Sequence, residues 1–175
     1  MITGGCRGPG WQVFDADPRL GRPIRDWIGS AIRGYGCCPV DAGDAAVVVS
    51  ELFGNAVMHG PAGGRVLVGY CLWRQGARLV VCDRGGPGVP RLVHGGELAE
   101  GGRGLRVVDA LAARWGSFCV VGARAVWCDF GQPLHAEPSD AWAWLHLVLS
   151  VCDLSAPGRP VAAVRPGTLA AAGAR

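Results

Sequence analysis

Glu51, Asn55 and His59 stand four residues apart in the run Glu51-Leu52-Phe53-Gly54-Asn55-Ala56-Val57-Met58-His59. Residues four apart on an α-helix share one face, a turn above one another. The run is otherwise almost wholly apolar. A helix here would carry a stripe of carboxylate, carboxamide and imidazole that solvent alone does not call for. A carboxylate can take a proton and an amide oxygen can ligate a hard cation, which together suit a nucleotide–Mg²⁺ site. Taken alone, such a stripe is more often a helix edge whose polar residues happen to align.

Two further signals follow along the chain. In Val80-Val81-Cys82-Asp83-Arg84-Gly85-Gly86-Pro87-Gly88, an aspartate ends an apolar strand and glycines come next. That carboxylate can accept a hydrogen bond from an amino group lying over a glycine-lined floor, although an Asp opening a turn is the commoner case. Gly101-Gly102-Arg103-Gly104-Leu105 then leads into a helical pattern. Glycines let the backbone approach a phosphate closely, and a helix start offers free N–H groups and the positive end of the helix dipole. The segment is not a dinucleotide fingerprint, since Val107 occupies the sixth position. No Gly-Lys-[Ser/Thr] follows, so it is no Walker loop either.

The elements that must position these residues are legible from spacing. Trp11–Phe14 predicts a first strand, and Asp17-Pro18 a helix start. Leu20, Ile24, Trp27, Ile28, Ala31 and Ile32 keep helical spacing up to Gly34 and Gly36. Asp41 or Asp44 would cap a second helix, running to His59 and stopped by Gly60-Pro61. Runs 65–73 and 77–83 read as a hairpin turning at Arg74-Gln75-Gly76. Residues 84–103, rich in Gly and Pro, predict a long loop with one helical turn near Glu97–Glu100. Leu105–Ala113 is helical, and 117–121 with 124–130 form a second hairpin. The order β-α-α-β-β-loop-α-β-β predicts an α+β two-layer sandwich, with a mixed, mostly antiparallel sheet and helices on one face. Residues 1–9 are expected to be a flexible N-terminus and 10–131 the domain. An extra helix would cover 132–153, with Trp142, Trp144 and Leu145 on the open sheet face or against a partner, and 154–175 a disordered tail.

Composition narrows the function classes. With 175 residues, half of them hydrophobic and 18% charged, the chain suits one well-packed domain. A net charge of +3 gives no case for nucleic acid, and all 17 basic residues are arginine, which reads as base-composition bias. The eight cysteines show no C-x-x-C pair, so zinc is not expected. No signal-peptide pattern opens the chain, and no apolar run nears the roughly 20 residues that span a bilayer. A cytoplasmic protein with reduced thiols and no membrane contact is the expectation.

Glu51-x-x-x-Asn55-Ala56-x-x-His59, then Asp83-x-Gly85, then Gly102-Arg103-Gly104-Leu105-Arg106-Val107-Val108 resemble, in order, the asparagine box and two glycine boxes of the GHKL ATPase superfamily. Val48-Val49-Ser50-Glu51-Leu52, Val108-Asp109-Ala110-Leu111 leading to Arg114-Trp115-Gly116, and Val126-Trp127 look like its anti-sigma serine/threonine kinase branch, of the actinobacterial type. The similarity covers about residues 10–131. The resemblance implies ATP and Mg²⁺ as cofactors, with Asn55 the metal ligand and Glu51 the catalytic base. It implies that Asp83 receives the adenine amino group and that Gly85, with Gly88 near it, gives the base room. Backbone N–H groups of Gly102, Gly104 and Leu105 would meet the phosphates, Arg103 would add a side-chain contact, and His59 would line the phosphate side. Residues 86–101 would form the lid.

The implied activity is phosphorylation of a serine or threonine on an anti-anti-sigma (STAS-type) antagonist, combined with sequestration of a sigma factor. The alternative is a catalytically inactive, ATP-dependent partner-binding switch. A homodimer stays open, and Gly54 departs from the family's usual helix former just before the asparagine.

Overall fold

The computed structural model describes residues 7–85, 103–120, 122–132 and 154. Strand β1 (Arg7–Asp15) leads through a 3₁₀ turn to helix α1 (Gly21–Tyr35), then α2 (Ala42–His59) and the hairpin β2 (Arg65–Trp73) and β3 (Gly76–Asp83). Helix α3 (Arg103–Leu111) precedes a second hairpin of β4 (Arg114–Val120) and β5 (Ala123–Gly131). The strands form one sheet in the order β1-β2-β3-β5-β4. Every pairing between them is antiparallel, where the sequence allowed for a mixed sheet. The α+β sandwich stands as expected.

Local chemistry accounts for most boundaries. The Asp41 carboxylate accepts from Gly43 N at 2.7 Å and Asp44 N at 2.9 Å, so Asp41, not Asp44, caps α2. Asp17 caps the 3₁₀ turn Pro18–Leu20 rather than α1 itself. Gly36, at φ 67°, closes α1 with the left-handed residue that helix ends favour. Helix α3 lies two residues earlier than its apolar spacing predicts. Ala113 N already donates to the Asp129 carbonyl at 2.8 Å, so pairing with β5 draws the chain out of the helix. The same force sets β1, which begins at Arg7, inside the stretch expected to be flexible, because β2 extends far enough to pair with it at Leu72.

One face of the sheet carries Val66, Val68, Leu72, Leu79, Val81, Val126, Cys128 and Phe130 against the helices. Helix α2 contributes Ala45, Val48, Val49, Leu52, Phe53 and Ala56 to that core, a spacing that buries one side and frees the other. The second face is apolar too. Leu67, Val80, Cys82, Ala123 and Ala125 are buried there with Leu154, whose carbonyl accepts from Arg65 N at 3.2 Å. Leu154, placed by the sequence at the head of a tail, is thus part of the packed domain. The predicted helical turn at 97–100, and Trp142, Trp144 and Leu145, lie outside the described residues.

On the second face Asp129, fully buried, accepts from Arg78 Nε at 2.6 Å and Nη2 at 2.9 Å, and from Arg114 Nη2 at 2.5 Å. Both guanidinium groups lie over the Trp127 ring, at 4.8 and 5.9 Å from its centroid. Two cations therefore share one desolvated carboxylate and one aromatic face.

Candidate functional site

Helix α2 is the spine of the site. Its buried face points to the sheet, and the flank bearing Glu51 and Asn55 meets the start of α3. Both side chains are half-buried. Gly104, the second residue of α3, sits directly against them. A Cβ at that position would lie 2.6 Å from Glu51 Oε2, 3.5 Å from Glu51 Cβ and 3.4 Å from Asn55 Nδ2. Glycine lets the α3 backbone come this near the polar stripe without displacing the Glu51 carboxylate.

The N–H groups of a helix's first turn have no partner within the helix. Those of Arg103, Gly104 and Leu105 fall in that turn, beside a carboxylate and a carboxamide. Leu105 is buried in the main core and anchors the turn from beneath. Gly88, Gly102 and the expected lid at 86–101 lie outside the described residues, as does the Arg103 side chain.

The other end of α2 abuts Asp83. A Cβ at Gly60, the residue that ends the helix, would be 4.0 Å from Asp83 Cβ. Asn55 and Gly60 are five residues apart, about 7.5 Å along the axis. One helix thus links the α3 turn to the Asp83 carboxylate. His59 is exposed in the last turn of α2.

Asp83 is 3% exposed and held from two sides. Gly85 N donates to Oδ1. Arg124 Nη2 donates to Oδ1 and Oδ2 at 3.1 Å each. Arg124 carried no signal in the sequence. It lies 41 positions from Asp83, and only the antiparallel register of β3 on β5 sets the two directly opposite. The space over Gly85 is also filled: a Cβ there would be 2.6 Å from Arg124 Nη2 and 2.8 Å from its Cζ. The Asp83 carboxylate lies nearer still, so what Gly85 accommodates is the carboxylate and this guanidinium together.

Asn55 offers a hard amide oxygen of the kind Mg²⁺ accepts. Among the described residues no three His, Cys, Asp or Glu side chains converge into a metal cage. A cation held at Asn55 would be shared with phosphate oxygens and water, the usual habit of Mg²⁺. Among the described residues, no helix is long and apolar enough to cross a membrane.

Comparison with known proteins bears on this geometry. A family model described as histidine kinase-like ATPase domain matches residues 14–117. A search of curated proteins finds no match. Among solved structures, the chain is similar to the RsbU and RsbW domains of Rv1364c from Mycobacterium tuberculosis, with a TM-score of 0.53 and 22% identity. That match covers 70% of this chain and 31% of the other, so this chain spans about a third of that one. At such identity the likeness speaks to the fold.

Proposed function

The chain belongs to the histidine kinase-like ATPase family, and on that premise we propose that it binds Mg²⁺–ATP along α2 and transfers the γ-phosphoryl group to a protein hydroxyl. The observation that carries the proposal is Gly104, whose lack of a side chain seats the α3 start on Glu51 and Asn55. Backbone N–H groups of that turn receive the phosphates. Asn55 would supply an amide oxygen to the cation, which when bound neutralises phosphate charge. Glu51 accepts the proton of the attacking serine or threonine hydroxyl. Asp83 accepts a hydrogen bond from the amino group of adenine. Phosphoryl transfer demands chiefly positioning and charge neutralisation, so this short list suffices.

The substrate that fits is a STAS-type anti-anti-sigma antagonist, and the second partner a sigma factor held while the antagonist is phosphorylated. The anti-sigma-like residues around the motifs support this reading, and the fold is shared with a structure containing an RsbW domain. Labelled ATP supplied with the cognate antagonist tests it. Wild type transfers label. Asn55→Ala loses Mg²⁺-dependent ATP binding by calorimetry, whereas Glu51→Ala keeps that binding and loses about 10²–10⁴-fold in transfer rate. Unchanged ATP affinity in Asn55→Ala refutes the metal assignment. Tight ATP binding without transfer by wild type would leave a nucleotide-dependent partner switch in place of a kinase.

A further inference from the structure

Asp83 ends β3, and Arg124 is the second residue of β5, directly opposite in register. Their side chains are 4% and 13% exposed, and the contact joins both carboxylate oxygens to one guanidinium nitrogen. A carboxylate offers about four acceptor positions. Among the described residues, Gly85 N and Arg124 take the two on Oδ1, and Arg124 takes one on Oδ2. One position remains, on Oδ2.

We propose that Arg124 is the positioning residue of the nucleobase end of the site: its guanidinium fixes the Asp83 carboxylate so that a single Oδ2 position is presented to an exocyclic amino group. This rests on the nucleotide reading above and adds the residue that sets base selectivity. Gly85 belongs to the same device, since a side chain there would collide with both the Asp83 carboxylate and the guanidinium. A bare carboxylate could rotate and be read by water or by another donor. Tethered through both oxygens, it accepts in one direction, and a purine lacking the amino group leaves a buried acceptor unpaired, which is costly.

The test compares ATP with purine riboside 5′-triphosphate, which lacks the 6-amino group, by calorimetry on the full chain. Wild type is expected to favour ATP by about 10- to 100-fold, the worth of a hydrogen bond to a charged acceptor. Arg124→Gln should bring that ratio below about threefold, with ATP losing far more affinity than the analogue. Arg124→Lys keeps a cation, on a stem free to reach the carboxylate from other directions, and should give an intermediate ratio. Thermal melts accompany each variant, and if the Gln variant does not fold the Lys variant decides. An unchanged ratio in a folded variant, or equal losses for both nucleotides, overturns the proposal by making Arg124 a strand-to-strand lock only. Wild type binding both nucleotides equally overturns it by removing the amino contact. Wild type binding neither overturns the nucleotide reading itself, a different and recognisable outcome.

Discussion

Replacing Gly104 by alanine separates the chemistry of the site from the stability of the fold. The new Cβ would stand 2.6 Å from Glu51 Oε2, against the 3.4 Å at which ordinary contact begins, so about 0.8 Å must be given up. The atom in the way is the far end of a rotatable side chain. The protein can therefore yield cheaply, with about 0.5–1.5 kcal/mol for pushing Glu51 off its rotamer. Alanine's better helix propensity returns up to about 1 kcal/mol. Net stability should change by less than about 1 kcal/mol. The displaced atom is the proposed base, and a misplacement near 1 Å can cost about 10²-fold in rate, or roughly 2.7 kcal/mol in the barrier. Single-turnover transfer from labelled ATP to the antagonist should fall by that factor, with ATP affinity moving less than about tenfold. Gly54 is the internal control: a Cβ there would meet nothing within 4 Å. Gly54→Ala should raise the melting temperature by about 2–4 °C and leave transfer untouched. Wild-type transfer by Gly104→Ala would refute the reasoning, because the contact would then be irrelevant to the reacting group.

Other perturbations follow from the same contacts. Asp129→Asn strands Arg78, 8% exposed, beside a neutral partner, and should cost about 3–5 kcal/mol in urea unfolding; a midpoint within error of wild type would contradict the buried cluster. Gly60→Ala would press a Cβ to 2.5 Å from the Ala56 carbonyl oxygen, where only backbone can give way, so a loss of about 1–3 kcal/mol is expected from the same measurement. Burial pushes the Cys82 and Cys128 thiols far up, with Asp83 and Asp129 adding to it, so both should resist a thiol reagent at neutral pH, whereas exposed Cys37 and Cys119 react at once. The linkage has a definite sign. These two thiols ionise in the unfolded chain near the ordinary value of 9.0 and stay protonated when folded, so their contribution to stability is intact below that pH and declines above it. A Cys82→Ala/Cys128→Ala variant should therefore show a flatter fall in melting temperature between pH 8 and 10.

The sequence by itself determined most of the elements and the residues of the candidate site. Apolar spacing places α1, α2 and both hairpins, because burying one helix face or alternating across a strand imposes a period that survives in any packing. The boxes around Asn55, Asp83 and Gly104 name the candidate site residues, because backbone approach and helix starts are local requirements. Tertiary structure decided what these residues touch. That Gly104 seats on Glu51 and Asn55, that Gly60 brings α2 to Asp83, and that Gly85 makes room for Arg124 depend on packing between distant segments. The pairing of β3 with β5 set Arg124 opposite Asp83, and pairing also ended α3 early and extended β1 to Arg7. Alternation along each strand constrains register once two strands pair, but that β3 pairs with β5, with α3 and β4 between them in the chain, is decided by the sheet as a whole.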